Sequence, residues 1–289
     1  MEFLKKIFAP IKWSVELIQN NFKAMLFILI LFLIFAPKSQ EELSPHNLTK
    51  INLVGPIMEV SEVLEQIQIA QEDSSIKGVL LVVDSPGGAV SPSIELAYAI
   101  KRLTEKKPVI VYAKGTIASG SYYASIWADE IIANPGSMVG SIGVIMQGAN
   151  LSELMQIVGI ETQVVQAGKY KQIGTPDREW RDYERAELEK VIHATYDMFS
   201  KDVADARGLD INKRPEYADA HIFTAAQAQE VGLIDSLGVM YDAQKRVEKL
   251  SGVKEALWNK EDKFDKFLKK ISSNVAVTLH TYFPATTLK

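Results

Sequence analysis

The sequence predicts an α/β protein with a largely parallel sheet covered by helices, preceded by an N-terminal membrane anchor helix. Three observations support this prediction. Short apolar runs alternate with segments of helical periodicity from about residue 51 onward, which is typical of repeated strand, helix, strand units. Turn residues end these apolar runs. An uninterrupted apolar stretch, 24–36, lies near the N-terminus.

The stretch 24–36 is the candidate anchor. As a helix it would span roughly 20 Å, which is less than the bilayer core of about 30 Å. The flanking Lys23 and Lys38 can extend it by snorkelling. A buried core helix and a cleaved signal peptide are the alternatives. We prefer an uncleaved anchor because a signal peptide would need an unusually long n-region, and because Pro37 follows its only small-residue cleavage site, Ala36.

The charges around the stretch predict its orientation. Lysines precede it and glutamates follow it: Lys5, Lys6, Lys12 and Lys23, then Glu41 and Glu42. An excess of lysine marks the cytoplasmic side. We therefore expect a single-pass protein of the bacterial inner membrane, in contact with membrane lipid, whose larger part lies on the extracytoplasmic side.

The elements of the main domain follow from periodicity. The predicted strands are short apolar runs bounded by turn residues, at 51–54, 78–83, 109–112, 131–132, 142–146 and 162–165. The predicted helices carry apolar residues at helical spacing, at 60–70, 91–103, from 120 onward, 151–158 and about 178–207. Ser91 and Pro92 are well suited to begin the second helix. No internal repeat is visible.

Composition argues against several classes of function. The chain has no cysteine, which excludes a disulfide framework, a thiolate nucleophile and a cysteine-based zinc site. None of the four histidines has metal-ligand spacing, and no phosphate-binding loop is present, so we expect neither a metal nor another cofactor. The net charge is -4 without a basic block, so nucleic acid is not an expected partner.

Two segments that follow predicted strands contain residues suited to acyl transfer. The glycines of Asp84–Gly88 either form a tight turn or let a backbone N–H approach an oxyanion. Ser119 begins a helix, where the helix dipole favours developing negative charge, although a serine in this position is more often an N-cap. Composition alone leaves four other serines as candidates: Ser121, Ser125, Ser137 and Ser141.

A third segment, 168–176, contains Lys169 and Lys171. No histidine lies near these motifs, so a hydroxyl nucleophile needs another base. A lysine can serve when it is neutral, which at pH 7 requires its pKa to fall by about 3 units, or on the order of 4 kcal/mol. Burial on assembly can supply such a shift. Spacing alone does not distinguish Lys169 from Lys171.

In this order, the motifs resemble the signal peptide peptidase A family over roughly residues 50–250. The matching segments are DSPGG, ASGSYY, GSIGVIM, GKYKQIGTP and FTAAQAQEVGLID. The resemblance implies a fold similar to Clp protease and the crotonases, and a Ser-Lys dyad. It implies that Ser119 is the nucleophile and that Lys171 is the general base. It also implies that Gly88 and Gly120 are the oxyanion-hole donors and that Ser141 orients the base. Many relatives have glycine where this chain has Ser121.

The function that the resemblance implies is a membrane-bound serine endopeptidase cleaving remnant signal peptides and other hydrophobic peptides. The single motif set is similar to the half-length members, which implies a ring-shaped homo-oligomer in which the serine of one chain meets the lysine of another. We expect a cytoplasmic leader and anchor at 1–37, a linker at 38–50, a protease domain at 51–252 and a C-terminal extension at 253–289. The alternatives are a crotonase-like acyl-CoA hydratase or isomerase and a non-catalytic scaffold for membrane protein assembly.

Overall fold

The structure is a computed structural model and describes residues 21–27 and 46–259. Residues 21–27 are helical and overlap the start of the predicted anchor. The rest of the anchor, most of the linker, and the C-terminal extension after residue 259 lie outside the described residues. In the described ranges, no helix has the length and apolarity needed to cross a bilayer. Pro45–Asn259 form a compact unit.

A seven-stranded sheet lies at the centre of this unit. Its strands are β1 Leu48–Val54, β2 Gly78–Ser85, β3 Val109–Ala118, β4 Glu130–Ala133, β5 Met138–Gly140, β6 Ile222–Thr224 and β7 Ser236–Leu237. The order β1-β2-β3-β4-β7 is parallel throughout, β5 adds in parallel to the end of β3, and β6 is antiparallel to β5. The predicted α/β class with a largely parallel sheet is confirmed.

Helices pack on the sheet through two apolar clusters. The helices are α1 Ser61–Glu72, α2 Val90–Thr104, α3 Gly120–Ser125, α4 Ser152–Ile157, α5 Asp182–Arg207, α6 Arg214–Tyr217, α7 Ala225–Glu230 and α8 Met240–Ser251. Because side chains alternate along a strand, Leu81 and Val83 of β2 enter the larger cluster. Leu80 and Val82 enter the smaller one, together with Val247 of α8.

An irregularity between β2 and β3 shapes the edge of the sheet where the candidate site lies. Val83 pairs with Ala113, and Ser85 pairs with Ile117. One residue of β2, Asp84, therefore faces the three residues 114–116 of β3. The Asp84 carboxylate accepts a hydrogen bond from the Thr116 N–H at 3.0 Å. Such a bulge changes the direction of a strand, here just before β3 ends at Ala118.

Two of the predicted strands are wrong. Gly140 and Ser141 have φ angles of 112° and 49°, and this left-handed turn ends β5. Residues 141–150 and 161–166 have no regular structure, and Ile145 is 83% exposed. The apolar residues of 142–146 and 162–165 suggested buried strands. The turn leads Ile145 and Met146 away from the core, and Val164 and Val165 are exposed as well. The other four predicted strands and all five helices are confirmed, the last helix beginning at Asp182.

Candidate active site

Ser119 lies between the last residue of β3 and the first residue of α3, in a sharp turn. Its backbone angles are φ 53° and ψ -123°, a combination that residues other than glycine rarely adopt. Its N–H donates to the Gly140 C=O at 2.8 Å, and its C=O accepts from the Tyr123 N–H at 3.0 Å. Although Ser119 is at the N-cap position, its side chain makes no capping hydrogen bond. The hydroxyl is thus available for chemistry.

Two backbone N–H groups near this serine have no acceptor among the described residues. Ile57 donates to the Gly87 C=O and accepts from the Ala89 N–H. Successive N–H groups alternate in direction along an extended segment. The Gly88 N–H therefore points away from Ile57. Gly120 is the first residue of α3, where an N–H has no intrahelical partner. Two free donors at neighbouring positions are the arrangement that an oxyanion hole requires.

The glycines of this region are required by close packing. A Cβ on Gly87 would lie 2.6 Å from the Gly120 nitrogen and 2.9 Å from the Ser119 Cβ. A Cβ on Gly120 would lie 2.1 Å from the Ser93 Oγ and 3.3 Å from the Gly88 nitrogen. Since no real Cβ tolerates the shorter of these distances, the loop 86–88 and the turn at Ser119 approach each other only because these side chains are absent.

A cavity of about 90 Å³ opens beside Ser119. It is lined by Gly88, Val90, Ser93, Gly120 and Tyr123, by 143–145, and by Thr195, Met198 and Phe199 of α5. The lining is mainly apolar. The sequence motifs did not predict that residues of α5 line this cavity. The cavity can accept an apolar side chain next to the Ser119 hydroxyl.

A tyrosine connects the helix that follows Ser119 with the wall of the cavity. The Tyr123 hydroxyl donates a hydrogen bond to the Asp202 carboxylate of α5, and its ring lies 4.7 Å from that of Phe199. Burial and the neighbouring carboxylate raise the pKa of Tyr123. The hydroxyl therefore stays protonated as a donor, and α5 is held against α3.

Ser141 and Lys171 do not line this cavity. Ser141 is half-buried, and its N–H donates to the His221 C=O at 2.7 Å. Lys171 is exposed, and its backbone N–H donates to the Gly168 C=O at 3.3 Å. A single chain thus brings Ser119, Gly88 and Gly120 together, but it does not bring Lys171 to them.

The alternative residues have structural partners. The Ser121 and Ser125 side chains are fully buried, and the Ser137 hydroxyl donates to the Ala113 C=O at 2.8 Å. Lys169 lies 4.5 Å from the centre of the Tyr183 ring, a cation–π contact. Of the serines 119, 121, 125 and 137, only Ser119 combines partial exposure with a free hydroxyl. Ser141 is also half-buried, but it does not line the cavity. Within residues 21–27 and 46–259, no group of acidic or histidine side chains is suited to hold a metal ion.

Comparison with known proteins assigns the chain to a family. The model of peptidase family S49 matches residues 101–254. A relative from Methanocaldococcus jannaschii, whose name describes it as a protease, is 46% identical over 183 residues, covering 63% of this chain and 59% of the relative. A relative from Enterococcus faecium, whose name describes it as signal peptide peptidase SppA, is 36% identical over 187 residues, covering 64% and 54%. The chain thus spans little more than half the length of either relative.

Two solved structures are also similar. A membrane-bound stomatin-specific protease aligns with a TM-score of 0.48 at 17% identity, covering 71% of this chain and 86% of that one. ClpP1 from Listeria monocytogenes aligns with a TM-score of 0.45 at 15% identity, covering 67% and 93%.

The family match spans more than half of the chain and includes both Ser119 and Lys171. It agrees with the resemblance drawn from the motifs, and it favours a protease over an acyl-CoA hydratase or a scaffold. The chain belongs to peptidase family S49.

Proposed function

We propose that this chain is a membrane-bound serine endopeptidase that cleaves remnant signal peptides and other hydrophobic peptides, with Ser119 as nucleophile and Lys171 as general base. One observation carries the proposal. The unpartnered Ser119 hydroxyl lies at an apolar cavity beside the free N–H groups of Gly88 and Gly120. This arrangement fits attack on a peptide carbonyl and stabilisation of the oxyanion that forms.

In the proposed reaction, the Ser119 Oγ attacks the scissile carbonyl while its proton moves to the neutral amine of Lys171. The N–H groups of Gly88 and Gly120 donate hydrogen bonds to the tetrahedral oxyanion. Lys171 then returns the proton to the leaving amine, and an acyl-enzyme remains on Ser119. A water molecule, deprotonated by the same lysine, hydrolyses the ester. Ser141 is the proposed partner that orients the lysine.

The lining of the cavity supports an apolar substrate. Val90, Val144, Ile145, Met198 and Phe199 are among the residues that line it. Each methylene group buried there stabilises the complex by about 0.8 kcal/mol, so a leucine-sized side chain before the scissile bond is favoured over a charged one. Remnant signal peptides supply such side chains, and one relative carries the name of a signal peptide peptidase.

We further propose that a second copy of this chain completes the site. Lys171 is exposed and absent from the cavity, so a lysine must reach Ser119 from elsewhere. The segment 145–170 that precedes it exposes apolar side chains, including Ile145, Ile157 and Val165, and exposed apolar surface of this kind marks an interface. A head-to-tail contact between identical chains closes into a ring. Burial within this interface would favour the neutral amine.

The proposed location is the inner membrane, with the protease domain outside the cytoplasm. It rests on the apolar stretch 24–36 and on the lysines that precede it. Protease added to intact spheroplasts should cleave near Glu41. Cleavage that appears only after the membrane is disrupted would reverse the proposed topology.

The dyad is tested with single substitutions. We expect Ser119→Ala and Lys171→Ala each to abolish cleavage of a fluorogenic peptide with leucine before the scissile bond. Lys169→Ala, the matched control in the same loop, should retain most of the activity. A fluorophosphonate probe should label the wild type on the peptide that contains Ser119. Labelling elsewhere would exclude Ser119 as nucleophile, and full activity of Lys171→Ala would exclude that base.

Sharing of the site between chains is tested by mixing the two inactive variants. If Ser119 and Lys171 of one site come from different chains, an equal random mixture of Ser119→Ala and Lys171→Ala chains leaves roughly a quarter of the sites intact. If both come from one chain, every site keeps one defect. Subunit exchange is verified with differently labelled chains. A mixture that stays inactive despite exchange would refute the shared site.

A further inference from the structure

A buried hydroxyl group lies between the ends of two neighbouring strands. The Ser121 side chain is fully buried, and its Oγ accepts a hydrogen bond from the Ala118 N–H at 2.9 Å. The same Oγ lies 2.6 Å from the Ser85 carbonyl oxygen, to which it donates. The Oγ also lies 2.9 Å from the Ala118 carbonyl oxygen. Ser85 and Ile117 pair in the parallel ladder, which joins the same strand ends through the backbone, and the hydroxyl adds side-chain hydrogen bonds to this junction.

The two strand ends that Ser121 connects carry the proposed catalytic groups. Ser85 is the last residue of β2, and the loop that follows leads to Gly88. The Ser85 side chain also accepts a hydrogen bond from the Gly87 N–H at 3.2 Å. Ala118 is the last residue of β3 and directly precedes Ser119. The Ser121 hydroxyl thus fixes the separation between one oxyanion donor and the turn that holds the nucleophile.

We propose that Ser121 is a positioning residue for the oxyanion hole, acting through the backbone of Ser85 and Ala118. This inference rests on the proposed roles of Ser119, Gly88 and Gly120. The hydroxyl contacts neither the cavity nor the substrate, so its effect passes through the geometry of the two donors.

Without the hydroxyl, the Ser85 C=O and the Ala118 backbone each lose a buried hydrogen bond, and a small void remains between the two strand ends and α3. We expect the strand ends to relax into this void, which shifts Gly88 relative to Gly120. Loss of one whole oxyanion donor typically lowers kcat by a factor of about 100 to 1000. A displaced donor should have a smaller effect, on the order of 10- to 100-fold.

The test compares Ser121→Ala with Ser125→Ala. Ser125 is equally buried in the same helix, but its hydroxyl donates only to the Ser121 C=O, at 2.7 Å. Both variants lose one buried hydroxyl, but only Ser121→Ala loses hydrogen bonds to both strand ends. The measurements are kcat and KM for a fluorogenic peptide with leucine before the scissile bond, the rate of fluorophosphonate labelling, and the urea concentration at half-unfolding.

We expect Ser121→Ala to lower kcat and the labelling rate at least tenfold while KM changes less than about threefold, and Ser125→Ala to keep kcat within about threefold. Equal kcat in the two folded variants, or a change in KM alone, would overturn the inference. If Ser121→Ala does not fold, Ser121→Gly replaces it, because it also removes the hydroxyl. That variant should still lose at least threefold in kcat, and unchanged kcat would overturn the inference. Absence of labelling on Ser119 in the wild type would instead refute the proposed function.

Discussion

Substitution of Ala220 by glycine should stabilise the protein. Ala220 lies between α6 and β6 with a φ angle of 58°. Its side chain is exposed, and its N–H donates to the Ile142 C=O at 2.9 Å, a hydrogen bond that glycine retains. For a residue with a Cβ, the left-handed conformation costs roughly 1–2 kcal/mol. Glycine adopts this conformation without that cost.

The expected gain is the difference between two effects. Relief of the left-handed strain contributes roughly 1–2 kcal/mol. Against it, glycine gives the unfolded chain more conformational freedom, which lowers stability by about 0.4–1 kcal/mol. The net stabilisation is then about 0.5–1 kcal/mol. In a domain of this size, 1 kcal/mol changes the melting temperature by about 2–4 °C, so Ala220→Gly should raise it by about 1–4 °C.

Urea and thermal unfolding of the purified chain measure this difference. The control is Ala186→Gly, an exposed position within α5. There the φ angle is helical, and glycine should destabilise by about 1 kcal/mol. The same substitution, alanine to glycine, should therefore change the free energy of unfolding in opposite directions at the two positions. If Ala220→Gly lowers the melting temperature as Ala186→Gly does, the strain argument is wrong.

Two further predictions concern the site and the response to acid. Gly120→Ala should reduce fluorophosphonate labelling more than 100-fold, because its Cβ would lie 2.1 Å from the Ser93 Oγ. Adding Ser93→Gly should restore part of the labelling, and no recovery would place the defect elsewhere. Hydrogen bonds from Arg178 and the Arg181 N–H lower the pKa of Glu184 to about 2. Because the folded pKa is below the unfolded value near 4.3, the stabilisation by Glu184 is present above that value and is lost as pH falls toward 2. Urea titrations at pH 6 and pH 3 should therefore show a smaller loss of stability in Glu184→Gln than in the wild type, and equal losses would contradict this.

The core strands were predictable from sequence because their burial leaves a local signal. The runs that form β1 to β4 are short and apolar and end in turn residues. This composition indicates that they are buried strands. The run 142–146 has the same composition, but its position depends on two left-handed residues, Gly140 and Ser141. A serine gives no local sign that it will adopt such an angle. The prediction therefore failed where the backbone departs from common conformations.

The candidate site was predictable to a different extent. The motifs identified Ser119, Gly88 and Gly120, and the structure places these three beside one cavity. The wall from α5 is separated from them by more than seventy residues along the chain, and apolar periodicity does not tell which members of a helical face border a cavity. The role proposed for Ser121 was also hidden, since a buried serine in a sequence does not show which carbonyl it meets.

The bulge opposite Asp84 has a consequence for how the chain can change its length. β3 has two more residues than β2 between the paired positions, three against one. Two residues equal one full period of the pleat, so Ala113 and Ile117 both face the larger apolar cluster. One inserted residue would have turned Ile117 to the opposite face. Insertions and deletions at 114–116 should therefore keep Ile117 on the side of the larger cluster only when they come in even numbers.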